Sequence, residues 1–311
     1  VLLFPGQGSQ IVGMGFEFYK NFKIVKKIFN EADEKLNFPI SKMILEGPED
    51  QLQLTQNTQP AILTVSYSIF KVLKNEFNFD FKTFKYFAGH SLGEYSALVC
   101  SDALNFNDAL YLLNERGKAM QEAVPVGQGS MIAVLGAKIN EVINLIQTRD
   151  NKNGICEIAN DNAEGQVIIS GDKESVEKFQ IILKKKKIKS IPLKVSAPFH
   201  CSLMKPAADK MKEKINNVRF NNPTIDIINN VTATSENNAA KIKSLLIEQI
   251  FSTVKWRESI INMSKANVIN YIEIGPGKVL TGMVKRTIKN ANCFSINSIT
   301  DIEKLNNEFK K

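Results

Sequence analysis

Phe87-Ala88-Gly89-His90-Ser91-Leu92-Gly93-Glu94 decides how this chain is read. A β-prone run, Phe84 to Ala88, leads into it, and a helix-compatible run, Leu92 to Cys100, leads out. Between them Gly89-His90-Ser91-Leu92-Gly93 fits G-x-S-x-G, the pattern of a nucleophile elbow. Such an elbow holds a serine on a tight strand-to-helix turn, its hydroxyl exposed above the N-terminus of the new helix. The flanking glycines are a steric demand, because the turn brings neighbouring backbone close. Five loosely specified positions recur by chance, but a strand before and a helix after favour the elbow over an accidental turn.

Outward from the elbow, strands alternate with helices, which predicts a parallel α/β sheet with helices on both faces. Val1 to Phe4 reads as a strand entering Pro5-Gly6-Gln7-Gly8-Ser9-Gln10, a loop rich in free backbone N–H groups at a strand's C-terminal end. Glu17 to Leu36 and Asn57 to Phe77 have helical periodicity, the second with Asn57 or Thr58 as cap and Pro60 in its first turn. Asn107 to Val124 is a further helix, carrying Arg116. The pattern then changes. Strand Ser130–Leu135, helix Asn140–Gln147, strands Ile155–Ala159 and Gln166–Ser170, helix Glu174–Leu183 and strand Ile188–Val195 follow. That is the β-α-β-β-α-β order of a ferredoxin-like unit. The expected organisation is therefore a large domain, 1–125 and 196–311, with a small domain inserted at 126–195. After Ser196-Ala197-Pro198-Phe199-His200 the large-domain alternation resumes. It includes strand Ile225–Val231, strand Val268–Ile274, Gly275-Pro276-Gly277 and a basic helix from Lys278 to Lys289.

Composition sets limits. The chain has 311 residues, 43% hydrophobic and 23% charged, enough for one large and one smaller domain. No run of 18 apolar residues occurs, so no span of a membrane is expected. Cys100, Cys156, Cys201 and Cys293 lie far apart, without metal or redox spacing, and read as reduced thiols of an intracellular protein. The net charge of +8 suits an acidic or phosphorylated ligand or an acidic protein partner, and no motif of a nucleic-acid module accompanies it. Abundant Asn, Lys and Ile point to an AT-rich genome. The strand-like opening at Val1, without Met, reads as a trimmed chain or a removed targeting segment.

Serine is a weak nucleophile unless a base takes its proton, and histidine is the usual base near neutrality. The chain has two histidines. His90 adjoins Ser91, and a sharp turn points adjacent side chains apart, so elimination leaves His200. No Asp or Glu between Ser91 and His200 stands out as a third member. A backbone carbonyl or amide side chain is expected to orient the imidazole instead, giving a dyad. These residues leave a serine hydrolase and an acyl transferase both open.

Gly6-Gln7-Gly8-Ser9-Gln10, Gly89-His90-Ser91-Leu92-Gly93-Glu94-Tyr95, Arg116-Gly117, Ala197-Pro198-Phe199-His200 and Gly275-Pro276-Gly277 occur together in one order. In this the chain resembles the malonyl-CoA:acyl-carrier-protein transacylases of type II fatty-acid synthesis, over almost its whole length. The resemblance implies an α/β-hydrolase-like large domain with a ferredoxin-like insert. It implies that Ser91 attacks malonyl-CoA to give a malonyl ester, with His200 as base and then acid. The backbone N–H groups of Gln10 and Leu92 would form the oxyanion hole, and Arg116 would pair with the malonyl carboxylate. Gln59 would line the pocket, and the carbonyl of Gln249 would orient His200. Asn160 and Asn162 would face the acyl or pantetheine channel, and Phe199 would narrow the pocket beside the α-carbon. Glu94 and Tyr95 strengthen the resemblance without a derived role. No metal, nucleotide or prosthetic group is implied; malonyl-CoA and a phosphopantetheine-bearing acyl carrier protein are substrates, and a monomer is expected. The basic helix, with Lys278, Lys285, Arg286 and Lys289, is a candidate surface for that acidic carrier, a solvated face being the alternative. The implied location is a plastid of apicoplast type in an AT-rich eukaryote, or the cytoplasm of an AT-rich bacterium.

Overall fold

The computed structural model describes residues 1–148, 154–195 and 197–309. Ser196, the expected start of the return to the large domain, lies outside the described residues. In chain order the strands are β1 (Leu2–Phe4), β2 (Phe87–Gly89), β3 (Gly129–Leu135), β4 (Cys156–Ala163), β5 (Gln166–Asp172), β6 (Lys189–Pro192), β7 (Ile227–Ile228), β8 (Ser235–Glu236), β9 (Asn270–Ile274) and β10 (Asn292–Ile296).

Six strands form one sheet in the order β10-β9-β1-β2-β7-β8. Every pairing in it is parallel except that of β7 with β8. A parallel sheet must be covered on both faces, so its central strands read as unbroken apolar runs. Leu2-Leu3-Phe4 is such a run. Leu2 and Phe4 enter one core, whereas Leu3 and Ala88 enter a second on the opposite face.

The second sheet has the order β4-β5-β3-β6 and is antiparallel throughout. Here side chains alternate. Ile132, Val134, Val167 and Ile169 pack with Val142, Val176, Phe179 and Leu183 of the helices Ile139–Gln147 and Lys173–Lys185. The intervening Met131, Ala133 and Ile168 belong to the main core. One face of the small sheet thus keeps its own helices, and the other joins the main core.

Three local expectations are corrected. Glu17 to Leu36 is two helices, Phe16–Asn21 and Lys23–Leu36. Phe22 between them is extended, and its ring stacks on Phe18 and meets Phe77 edge-on. The next long helix starts early, at Thr55–Asn75, so Pro60 lies inside it. Neither Asn57 nor Thr58 caps it; their side chains donate backwards to the carbonyls of Gln51 and Leu52. A proline inside a helix leaves the carbonyl four residues earlier without its donor. Asn114 Nδ2 meets that carbonyl, of Gln56, at 3.0 Å. Finally, the strand expected over Ile225–Val231 is only Ile227–Ile228, because Asn229 and Asn230 turn to the elbow.

Candidate active site

β1 and β2 are in register with Phe4 beside Gly89, so the loops that follow them emerge side by side. The N–H of His90 donates to the carbonyl of Phe4 at 3.0 Å. The elbow is as tight as its glycines require. A Cβ on Gly89 would lie 1.9 Å from the carbonyl carbon of Gly93, and one on Gly93 would lie 2.2 Å from the carbonyl oxygen of Phe4. Ser91 itself is left-handed, with φ 53°, and the helix Gly93–Cys100 starts two residues on. β7, on the other side of β2, delivers Asn230. Its Oδ1 accepts the N–H of Ser91 at 2.7 Å, and its Nδ2 donates to the carbonyl of Gly89 at 2.7 Å. Strain of this kind persists where surroundings over-determine it. Here three adjacent strand ends do so.

His200 also has a positive φ, 57°. Its Nε2 lies 2.8 Å from Ser91 Oγ, and its Nδ1 lies 2.8 Å from the carbonyl oxygen of Gln249. A carbonyl only accepts, so Nδ1 carries the proton and Nε2 presents a lone pair to the serine hydroxyl. Burial lowers the imidazole pKa from 6.5 to about 3; the Arg116 charge acts in the same direction, and the Gln249 carbonyl opposes. The base is therefore neutral and ready to accept. His90 points elsewhere, to Asn162 Oδ1 at 2.8 Å, with Trp256 edge-on at 5.5 Å.

Arg116, 1% exposed, comes from the helix Phe106–Glu122. Nη1 donates to Gln59 Oε1 at 2.7 Å, and Nη2 donates to Gln249 Oε1 at 2.9 Å and Ser91 Oγ at 3.1 Å. The Tyr95 ring lies 5.9 Å from the guanidinium carbon. Among the described residues no carboxylate is within ion-pair distance, and Nε has no hydrogen-bond partner. A buried guanidinium that keeps a donor open beside a serine has the chemistry to accept a carboxylate.

Ser91, His200, Arg116, Gln59, Phe199, Asn160 and Asn162 line one cavity of about 170 Å³. The other three predicted positions stand behind this lining. Leu92 follows the serine and is buried, Gln249 underlies His200 and Arg116, and Gln10 turns its side chain to the N–H of Gly8 and to Gln53. Among the described residues no acceptor takes the backbone N–H of Leu92 or of Gln10. Met120, Met131, Ile168, Leu280 and Met283 complete the lining with apolar side chains. Reasoning from sequence misses Asn229 and Asn230 and leaves Glu94 without a task. Glu94 is fully buried, accepting from Asn229 Nδ2 at 2.6 Å, the N–H of Asn230 at 3.1 Å and Gln249 Nε2 at 2.8 Å. The available signal was an acidic residue immediately before the uncharged run Tyr95-Ser96-Ala97-Leu98-Val99, and an Asn pair directly after Ile227-Ile228.

The model of the acyl transferase domain family matches residues 1–309. The malonyl CoA-acyl carrier protein transacylase of Bacillus subtilis is 42% identical over 303 residues, 97% of this chain and 94% of that protein. The Escherichia coli K12 protein of the same name is 40% identical over 296 residues, 95% of this chain and 94% of that protein. The crystal structure of the acyl-carrier-protein-S-malonyltransferase from Bartonella henselae superposes with a TM-score of 0.96 at 39% identity, covering 100% of this chain and 99% of that one. A malonyl-transacylase in complex with its holo type II PKS acyl-carrier protein superposes with a TM-score of 0.94 at 38% identity, covering 98% of each chain.

Proposed function

The chain belongs to the acyl transferase domain family, and from that membership we propose that it moves malonyl from malonyl-CoA to the phosphopantetheine thiol of an acyl carrier protein, supplying type II fatty-acid synthesis. The observation that carries the reading is the triple contact at Ser91 Oγ and behind it. A neutral imidazole stands at 2.8 Å, its far nitrogen on the Gln249 carbonyl, and a buried guanidinium donor stands at 3.1 Å.

Ser91 attacks the thioester carbonyl while its proton passes to His200 Nε2. Negative charge gathers on the former carbonyl oxygen, where the open N–H groups of Leu92 and Gln10 stabilise it. Collapse breaks the carbon–sulfur bond, CoA leaves as thiolate, and His200 returns the proton to it. The malonyl group is now an ester of Ser91. In the second half the carrier's thiol gives its proton to His200 and attacks that ester, and the proton returns to Ser91. Arg116 holds the malonyl carboxylate through both halves; an acetyl group leaves the same buried donors unpaired. Gln59 orients the guanidinium, Phe199 closes the pocket at the α-carbon, and Asn160 and Asn162 border the acyl or pantetheine channel.

We read residues 1–125 and 196–311 as an α/β-hydrolase-like large domain and 126–195 as a ferredoxin-like insert. The two sheets and the β4-β5-β3-β6 order support this. The helix Val279–Thr287 brings Leu280 and Met283 to the cavity and exposes Lys285 and Arg286 on its outer side, which suits an acidic carrier. We read the chain as a monomer. Parallel rates of carrier loading and malonate release test the reading. Loading should dominate when holo carrier protein is present, and predominant release of malonate would make the chain a hydrolase.

A further inference from the structure

Beneath the cavity a carboxylate and a guanidinium are held close to one group without meeting each other. Glu94, in the first turn of the helix Gly93–Cys100, has no cation within ion-pair distance among the described residues. The Gln249 amide stands between. Its Nε2 faces Glu94 Oε2 at 2.8 Å, and its Oε1 faces Arg116 Nη2 at 2.9 Å.

Every hydrogen bond in this cluster has a forced direction. Asn229 cannot reverse its amide, because Oδ1 already accepts from the N–H groups of Val231 and Thr232 at 2.8 and 3.2 Å. Asn230 offers Glu94 a backbone N–H, which can only donate. Gln249 Nε2 also donates to the carbonyl of Ser91 at 3.1 Å. A reversed Gln249 would set its NH2 against the guanidinium donors and its oxygen against two acceptors, Glu94 Oε2 and the Ser91 carbonyl. An acceptor-only carboxylate at position 94 is therefore what holds the Gln249 amide oxygen toward Arg116.

We propose that Glu94 is a specificity-determining positioning residue: through the Gln249 amide it fixes the Arg116 guanidinium against Ser91, leaving that guanidinium free for the substrate's carboxylate. In direct contact, Glu94 would itself occupy the site the malonyl carboxylate needs. One residue removed, it still favours the charged form of Arg116, and Arg116 favours the charged form of Glu94. The inference rests on the malonyl-transfer reading.

Glu94→Gln tests it at pH 8, since the variant keeps the shape but must turn an NH2 toward a neighbouring donor. The malonyl-to-acetyl ratio of kcat/KM should fall about 10- to 100-fold, the size expected for one mispaired buried donor. The fall should come through KM for malonyl-CoA, whereas general loosening would lower both substrates alike. Gln249→Leu, which keeps the carbonyl behind His200, should lose the same ratio, and the double variant should lose no more than the larger single. A ratio preserved in Glu94→Gln, parallel losses on both substrates, or additive losses in the double variant overturn the proposal. If Glu94→Gln does not accumulate as folded protein, Gln249→Leu decides by the same ratio. Arg116→Ala, run alongside, separates the two levels. An unchanged ratio there defeats the malonyl reading itself, and a ratio lost there but kept in Glu94→Gln defeats only the role of Glu94.

Discussion

Arg116→Ala is the substitution that asks most of the account. The wild-type guanidinium is 1% exposed and is aimed by Gln59 and Gln249, with Nε unpartnered among the described residues. A malonyl carboxylate would take two charge-assisted hydrogen bonds from it, each worth roughly 1.5–3 kcal/mol net. Their loss of about 3–6 kcal/mol converts to roughly a 10²- to 10⁴-fold drop in kcat/KM for malonyl-CoA. Acetyl-CoA makes neither bond, so its kcat/KM should hold or rise, and the preference should collapse by the same factor. Truncation also strips the Gln59 and Gln249 amide oxygens of a donor, costing about 1–3 kcal/mol each in stability, so thermal unfolding must show a folded variant at the assay temperature. Arg116→Lys should recover only part of the preference, because an ammonium keeps the charge but lacks the planar fork. The assay is paired steady-state kinetics on malonyl-CoA and acetyl-CoA with holo carrier protein. A malonyl-to-acetyl ratio that does not change, or equal losses on both substrates, refutes the reasoning.

Three further outcomes follow from charge and burial. With His200 held to about 3, its protonation limb in kcat/KM against pH should lie far below the ordinary histidine value of 6.5. Arg116→Ala removes a charge that lowers this pKa, so the limb measured with acetyl-CoA should move to higher pH; a limb fixed at 6.5 in both proteins contradicts this. Burial raises the Glu94 carboxyl from 4.5 to about 7, so the folded chain keeps a proton that the unfolded chain has released. That contribution is full below about 4.5 and is lost as pH rises through about 7. Thermal unfolding of the wild type should lose stability relative to Glu94→Gln across this window, and two parallel profiles would refute it. Charge reversal at Lys285 and Lys289 should raise KM for the carrier about tenfold and flatten its salt dependence, with single-turnover acylation by malonyl-CoA unchanged within about twofold. Equal effects on both half-reactions would remove the helix as the carrier's surface.

The nucleophile was legible because its demands are local: a turn that tight permits only glycine at positions 89 and 93, and the sequence records that directly. His200 was legible by scarcity, the chain having two histidines, one of which must point away from its neighbour. The parallel sheet could be read from strands alternating with helices, and the second sheet from its strand-helix-strand-strand-helix-strand order; the strands themselves do not distinguish them, Leu2-Leu3-Phe4 and Met131-Ile132-Ala133-Val134 both being unbroken apolar runs. What stayed hidden depends on distant partners. Pro60 looks like a first-turn residue until Asn114, 54 residues on by numbering and 58 from the carbonyl it reaches, supplies the missing donor to Gln56. Asn229 and Asn230 continue an apolar strand in sequence and leave it only because Glu94, 135 and 136 residues away, takes their N–H groups. Glu94 is the clearest case: its task exists only once Gln249 and Arg116 have been folded against it.

The most direct measurement is a single turnover with malonyl-CoA labelled in the malonyl group, followed by a chase with holo carrier protein. Peptide mass spectrometry should place the label on Ser91 before the chase and on the carrier's phosphopantetheine thiol after it, with Ser91→Ala unlabelled. Label that persists in Ser91→Ala, or that leaves wild type as free malonate while carrier is present, would contradict the account.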